Sequence, residues 1–122
     1  MMKLFFSLGA LIAGLGVVFG AFGAHALEST LTEDQLQTFQ IGVRYQLIHG
    51  LALLAVALAG VHWPGTLLQL TGWCFVIGVT IFSGSIYVLV LADMKWLGMI
   101  TPIGGMTMII GWFLLAWHVM TQ

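Results

Sequence analysis

The chain has 122 residues, of which 61% are hydrophobic and only 6% are charged. Soluble domains carry about 25% charged residues, so this composition excludes a water-exposed surface over the whole chain and predicts an integral membrane protein. A net charge of −1 with three basic residues excludes the basic surface on which nucleic-acid binding depends.

Four apolar stretches are each long enough to cross a bilayer core about 30 Å thick, which takes about 20 helical residues. They lie at about 4–25, 41–62, 67–91 and 98–120. The links between them are short except for the first. The sequence therefore predicts an all-α membrane protein with a single transmembrane domain over 1–122, in which four transmembrane helices form an antiparallel up-down-up-down bundle.

The first span ends in GAFGAHAL (Gly20–Leu27), which has two interpretations. An Ala-x-Ala sequence after a hydrophobic segment is what signal peptidase cleaves, but the apolar part of a signal peptide has about 7–15 residues. The apolar run here has about 20 residues and is long enough to span the membrane. We therefore expect an uncleaved first helix that reaches the membrane surface at His25.

A polar segment separates the first span from the second and holds Glu28, Glu33 and Asp34. Thr32 and Gln35 have the spacing of a capping box, and apolar residues at helical spacing follow them. The pattern predicts a short amphipathic helix at about 33–41 that continues into the second span, with a bend at Gly42.

The fourth span begins near the dipeptide Thr101-Pro102. Threonine followed by proline is typical of an N-cap with proline at the first helical position. We therefore expect Thr101 to cap the fourth helix, after a short segment at the membrane interface.

Small residues recur on the predicted helices at spacings that let two backbones approach closely. Lipid tails are as apolar as leucine, so helices in a bilayer associate largely through such close contacts. These stripes predict packing within the bundle and leave a homo-oligomer open. The candidate packing residues are Gly16, Gly20, Ala24, Gly84, Gly104 and Gly105.

The antiparallel topology places most intramembrane polar residues in one leaflet, on the side of the acidic loop. Polar groups inside a membrane are costly, so they pair with one another or mark a functional site. The predicted polar cluster consists of His25, Arg44, Tyr45, Gln46, His49, Ser83, Tyr87, Asp93 and Thr101.

Two members of this cluster have more specific expectations. His49 is either a neutral histidine, hydrogen-bonded to Tyr87 or to a backbone carbonyl, or a residue that binds a ligand, a proton or a metal. Arg44 is expected to pair with Glu28 or Asp93 at the membrane surface, because an unpaired arginine at mid-bilayer costs at least about 2.5 kcal/mol.

No combination of side chains indicates catalysis or a bound cofactor. A metal site needs three or four converging ligands, and His25 with His49 would supply only two. Ser83 lacks a motif that would activate it as a nucleophile, and Cys74 is alone in an apolar run, as expected for a structural thiol. We predict no catalytic residue, no metal and no cofactor.

Four ordered segments carry a resemblance to a known family. With them, the chain resembles the YgdD-like inner-membrane proteins, a small bacterial four-helix family without an established biochemical activity. The resemblance spans essentially the whole chain, and it implies a polytopic inner-membrane protein while assigning no catalytic residues. The segments are Gly20–Leu27, GVRYQLIHGLALL (Gly42–Leu54), FSGSIYVL (Phe82–Leu89) and TPIGG (Thr101–Gly105).

Two functions follow as expectations. The first is a non-catalytic membrane protein with an accessory, assembly or structural role, in contact with the lipid bilayer and with a second copy or another membrane protein. The alternative is a small-solute, ion or proton pathway formed by an oligomer. The expected location is the bacterial inner (plasma) membrane, with both termini cytoplasmic because Lys3 and the terminal amine flank the first helix.

Overall fold

A computed structural model describes residues 1–122, and its secondary structure is entirely helical. Each of the four main helices is long and apolar enough to cross a membrane, as the sequence predicts. A 3₁₀ helix, Lys95–Met99, precedes the last of them. The main helices are α1 (Met2–Leu27), α2 (Glu33–His62), α3 (Thr66–Leu91) and α4 (Thr101–Met120).

Helix α1 contains a π-helical turn at Phe19–Gly23, which the sequence-based interpretation did not include. Such turns insert one extra residue into an α-helix, and the glycines at positions 20 and 23 make the wider backbone easier to adopt. The extra residue rotates the end of the helix by about 100°. Beyond the turn, Ala24 is buried and His25 is exposed.

Helix α2 is a single uninterrupted α-helix, so the predicted amphipathic segment and the second span are parts of one element. The capping box is confirmed: Thr32 N–H donates to Gln35 Oε1 at 2.9 Å, and Gln35 N–H donates to Thr32 Oγ1 at 3.1 Å. The helix continues through Gly42, where a bend was expected. Gly42 serves close packing instead, because a Cβ there would lie 2.9 Å from Tyr87 Cε1.

Helices α2 and α3 form the centre of the molecule, and α1 and α4 flank them. In the most apolar 18-residue stretch of each helix, half of the residues of α2 and 39% of those of α3 are buried, against 17% in each flanking helix. Helix α1 packs mainly on α2, and α4 packs mainly on α3. Helix α1 meets α2 in the reverse order along the chain: Gly9 lies against Gly50, Gly16 against Leu47 and Gly20 against Val43. This pair is therefore antiparallel.

Two glycine crossings bring helix backbones into direct contact. In the α1–α2 pair, a Cβ on Gly9 would lie 2.7 Å from Gly50 O, and one on Gly50 would lie 3.0 Å from Gly9 O. In the α3–α4 pair, a Cβ on Gly104 would lie 2.7 Å from Gly78 O and 2.5 Å from the backbone nitrogen of Phe82. The chain is therefore two tightly crossed helical hairpins joined through α2 and α3.

The predicted packing residues separate into two groups. Gly16 and Gly20 face Leu47 and Val43 of α2, and Gly104 lies at the second crossing. Ala24 packs in an apolar cluster with Phe39, Val43 and Val90.

Gly84 and Gly105 differ from that prediction. A Cβ on Gly84 would meet no atom within 4 Å, and one on Gly105 would make only ordinary contact with the Phe82 ring, at 3.6 Å. Both glycines lie where two helices diverge, so they line clefts rather than tight interfaces.

The start of α4 also differs from the prediction. Ile100 is the N-cap residue, and Thr101 is already the first helical residue, followed by Pro102. Ile100 has a right-handed helical conformation, so the preceding 3₁₀ turn leads directly into the helix and no side chain caps it. The Thr101 hydroxyl donates to Leu97 O at 3.2 Å instead.

Candidate functional site

Helix α2 holds a side chain that is hydrogen-bonded to both α1 and α3. Gln46 is 7% exposed and lies near the middle of α2. Its Nε2 donates to Ile12 O of α1 at 2.9 Å, and its Oε1 accepts from the Tyr87 hydroxyl of α3 at 2.5 Å. One amide group therefore ties three helices together.

His49 lies one turn further along α2 and makes the connection to α4. It is 3% exposed, and both ring nitrogens have partners: Nδ1 lies 2.8 Å from Tyr45 O, and Nε2 accepts from Trp112 Nε1 at 3.0 Å. With Nε2 accepting the indole proton, Nδ1 carries the ring proton and donates to the carbonyl. The histidine is held as one neutral tautomer.

Two hydroxyl groups of α3 make further hydrogen bonds between the main helices. Ser83 Oγ donates to Gly42 O of α2 at 2.7 Å. Ser85 Oγ and Thr101 Oγ1 lie 2.6 Å apart in a hydrogen bond that joins α3 to the start of α4. We call Gly42, Gln46, His49, Ser83, Tyr87 and Trp112 the central polar layer.

The central polar layer lies between two apolar clusters. One contains Phe39, Val43 and Val90 near the acidic loop, and the other contains Phe5, Leu53 and further residues toward the termini. The predicted concentration of polar residues in one leaflet is therefore only partly correct. Helix-helix hydrogen bonds reach the middle of the bundle, because Gln46, His49 and Trp112 all lie near the midpoints of their helices.

The structure does not bring the charged members of the predicted cluster into this layer. His25 and Glu28 form an exposed pair, with Nδ1 3.6 Å from Oε2, and their side chains are 86% and 68% exposed. Arg44 is exposed and forms no ion pair within the chain, so the prediction that it pairs with Glu28 or Asp93 is wrong. A helix places residue 44 about 140° from residue 49.

Asp93 has a role in the backbone of the α3 C-terminus. Its φ of 53° places it in the left-handed region, immediately after the last turn of the helix. The N–H of Met94 donates back to Leu89 O at 3.2 Å, which is the long bond of a Schellman motif. Aspartate is one of the few residues other than glycine that tolerates this conformation.

Two clefts open beside the central polar layer, at the surface that lipid covers. The first, about 170 Å³, lies between α1 and α3, and its lining includes Ile12, Phe19, Gln46, Ser83 and Gly84. The second, about 290 Å³, lies between α2 and α4 and is lined by residues that include Tyr45, His49, Phe82 and Trp112. The Tyr45 ring packs against that of Phe82 at an interplanar angle of 52°, with ring centroids 4.7 Å apart.

The polar cluster predicted from the sequence does not include Trp112 or Ile12, whose indole N–H and backbone carbonyl take part in these hydrogen bonds. It also omits His118, which is 4% exposed and whose Nε2 lies 2.6 Å from Trp63 O. A general signal was available for the tryptophan, because an indole N–H buried in a bilayer needs an acceptor.

The arrangement is suited to holding helices together. Every buried side-chain nitrogen and oxygen atom has a hydrogen-bond partner within the chain. No three residues of the types His, Cys, Asp and Glu lie close enough together to hold a metal ion. The polar atoms of the layer therefore already have partners from neighbouring helices.

Comparison with known proteins identifies the family. A family model described as "Protein of unknown function (DUF423)" matches residues 19–105, which include the end of α1 and most of the central polar layer. The chain belongs to the DUF423 family. No solved structure matches the chain.

Curated relatives of this DUF423 chain carry the name UPF0382 membrane protein. One from Staphylococcus aureus is 44% identical over 120 residues, and YwdK from Bacillus subtilis is 41% identical over 115 residues. Both alignments cover 93% of this chain and 93–94% of the relative. The resemblance to a small uncharacterised membrane-protein family is confirmed, and the chain is a polytopic membrane protein of unknown biochemical activity.

Proposed function

We propose that this protein is a non-catalytic membrane protein with an accessory, assembly or structural role. One observation carries the proposal: the side chains of the central polar layer are engaged in hydrogen bonds between helices, and α2 is bonded to all three of its neighbours. A site for chemistry needs polar groups directed at a substrate, whereas these groups are directed at one another.

The partner in this role is a second copy or another membrane protein. Helices α1 and α4 expose most of their apolar surface, which includes Leu11, Phe22, Phe113 and Met120 at 64–78% exposure. In a bilayer this surface faces lipid or another helix. Crosslinking and affinity capture from native membranes would identify a partner through these two helices.

A pathway for a small solute, an ion or a proton is the second candidate. It is favoured by the α2–α4 cleft, which His49 and Tyr45 line together. The hydrogen bonds at both nitrogens of His49 argue against it, since proton transfer would have to break one of them.

The location that we propose is the bacterial plasma membrane, with both termini in the cytoplasm. The relatives are bacterial and are named membrane proteins. Lys3 and the terminal amine lie at the start of α1, and the first helix usually dominates orientation. A reporter that works only in the cytoplasm should be active when it is fused after Gln122. Activity only of a reporter that works outside the cytoplasm would contradict this orientation.

Replacing the histidine separates the two candidate functions. We expect His49→Phe to lower the midpoint of thermal unfolding in detergent, because the Trp112 indole loses its acceptor, and to leave proton and ion flux in proteoliposomes at the wild-type level. Tyr45→Phe is the matched control, since the Tyr45 hydroxyl makes no hydrogen bond within the chain. Unchanged stability of His49→Phe together with a lost flux would establish the pathway instead.

A further inference from the structure

One exposed face of α2 changes from polar to apolar at a single point. At 100° per residue, eight residues of this helix lie within about 80° of one another. The first four are Glu33, Gln37, Gln40 and Arg44, and the next four are Ile48, Leu51, Ala55 and Leu58. The apolar side chains are well exposed, with Leu51 at 61% and Leu58 at 59%.

Arg44 lies at the end of the polar half, next to the apolar half. It is the only arginine of the chain, it is exposed, and none of the four acidic residues forms an ion pair with it. Side chains on a helix lean toward its N-terminus, so the guanidinium group is directed along the face toward Gln40. A long cationic side chain at this depth extends to the membrane surface, where its guanidinium group is free to pair with an anion.

A surface groove is present where that anion would lie. Its volume is about 480 Å³, and it is lined by Glu33, Gln37, Gln40 and Arg44 with two apolar neighbours. The carboxamides of the two glutamines and the guanidinium are hydrogen-bond donors on the same side of the helix. A guanidinium binds phosphate through two parallel N–H···O bonds, which makes a phosphate group the matching anion.

The apolar half of the face indicates that this phosphate belongs to a lipid. From Arg44 to Leu58 the helix rises about 21 Å, which exceeds the roughly 15 Å depth of one hydrocarbon leaflet. Ile48, Leu51 and Leu58 thus offer an acyl chain a continuous apolar surface directly below the guanidinium. A soluble anion would use only the polar half.

We propose that this face binds one phospholipid of the acidic-loop leaflet. The phosphate lies between Arg44 and Gln40, the terminal part of the headgroup extends toward Gln37, and an acyl chain lies along the apolar half. Glu33 is at the outer end of the groove, so the site favours a headgroup whose terminal ammonium group can pair with this carboxylate over a headgroup whose terminal part is uncharged. Phosphatidylethanolamine has this chemistry, and phosphatidylglycerol does not.

Native mass spectrometry of the full chain in detergent tests the proposal by titration with phosphatidylethanolamine. Replacing the guanidinium removes a charge-assisted pair of hydrogen bonds, so Arg44→Gln should bind the lipid about tenfold more weakly than wild type. Lys95→Gln is the matched control, because Lys95 is the other exposed cation on the same side. It should bind as wild type does. Glu33→Gln should reduce the preference for phosphatidylethanolamine over phosphatidylglycerol.

Four outcomes would overturn the proposal. The first is that Arg44→Gln binds the lipid as tightly as wild type does, and the second is that Lys95→Gln loses as much binding as Arg44→Gln. The third is that inorganic phosphate binds as tightly as the lipid. The fourth is that a protein partner is captured after complete delipidation and that its capture needs Arg44. If Arg44→Gln does not fold, Gln40→Ala and Arg44→Lys provide the test. Both should weaken lipid binding without changing the midpoint of unfolding measured free of lipid, and no weakening in either would contradict the proposal.

Discussion

At the scale of single residues, Gln46 contributes more than its type suggests. A glutamine near the middle of a membrane helix is unfavourable unless the amide is paired. Here the nitrogen donates to the Ile12 carbonyl and the oxygen accepts from the Tyr87 hydroxyl. The residue is therefore tolerated because each half of its amide has a partner on a different helix.

The bond between Gln46 and Tyr87 can be measured by a double-mutant cycle. Hydrogen bonds between membrane helices contribute about 0.6 kcal/mol on average and at most about 1.7 kcal/mol. We expect Gln46→Leu and Tyr87→Phe to lower the free energy of unfolding in detergent by less in combination than the sum of their separate effects. Additive effects would show that the two side chains do not interact.

Asp93 provides a test of its backbone role. Glycine adopts a positive φ without the steric cost that a side chain adds, so Asp93→Gly should raise the free energy of unfolding by about 0.5–1 kcal/mol. An ion pair between Asp93 and Arg44 would have the opposite consequence, because its removal would lower stability. A decrease in the midpoint of thermal unfolding for Asp93→Gly would therefore contradict the structural account.

At the scale of helices, the glycine crossings set how closely the two hairpins pack. At Gly104 a Cβ would lie 2.5 Å from the backbone nitrogen of Phe82, and a backbone atom cannot move aside as a flexible side chain can. At Gly84, on the neighbouring helix, a Cβ would meet nothing within 4 Å. Two glycines of similar appearance in the sequence thus have different consequences.

Replacing these glycines by alanine should separate the two cases. We expect Gly104→Ala to separate α3 from α4 and to lower the free energy of unfolding by about 1–3 kcal/mol, which is typical of overpacking. Gly84→Ala is the control and should be neutral or slightly stabilising, because alanine favours a helix more than glycine does. Thermal unfolding of both variants in the same detergent makes the comparison, and equal losses would contradict it.

The number of membrane-spanning helices and the start of α2 could be predicted because their signals are local. Hydrophobic length gives the four spans, and the Thr32–Gln35 spacing gives the start of α2. The π-helical turn at Phe19–Gly23 could not be predicted, since two glycines permit a wider turn without requiring it. The capping role assigned to Thr101 failed because the preceding 3₁₀ turn already supplies a helical conformation at Ile100.

The partners of polar side chains were harder to predict, because they depend on helix rotation and depth. Helical angles correctly place Tyr45 and His49 on neighbouring positions of one face, and the rings stack with centroids 6.1 Å apart. They do not reveal which residue of another helix faces His49. The sequence offered Tyr87 or a backbone carbonyl as the partner of His49. The structure gives the Tyr45 carbonyl and adds Trp112, while Tyr87 pairs with Gln46.

At the scale of the whole molecule, α2 is the element that unites the others. It is hydrogen-bonded to α1, α3 and α4 through Gly42, Gln46 and His49. The glycine crossings hold α1 to α2 and α3 to α4, but they do not join the two hairpins. That connection depends on the central polar layer and on the apolar clusters on either side of it.

The measurement that tests this account most directly is the free energy of unfolding in detergent of a Gln46→Leu/His49→Phe double variant. The control is Thr80→Val/Thr107→Val, whose hydroxyls donate only within their own helices, to Val76 O and Ile103 O. Three interhelical hydrogen bonds at about 0.6 kcal/mol each predict a loss of about 2 kcal/mol for the first variant, against less than about 0.5 kcal/mol for the control. Equal losses in the two variants would contradict the central claim that these polar side chains hold the helices together.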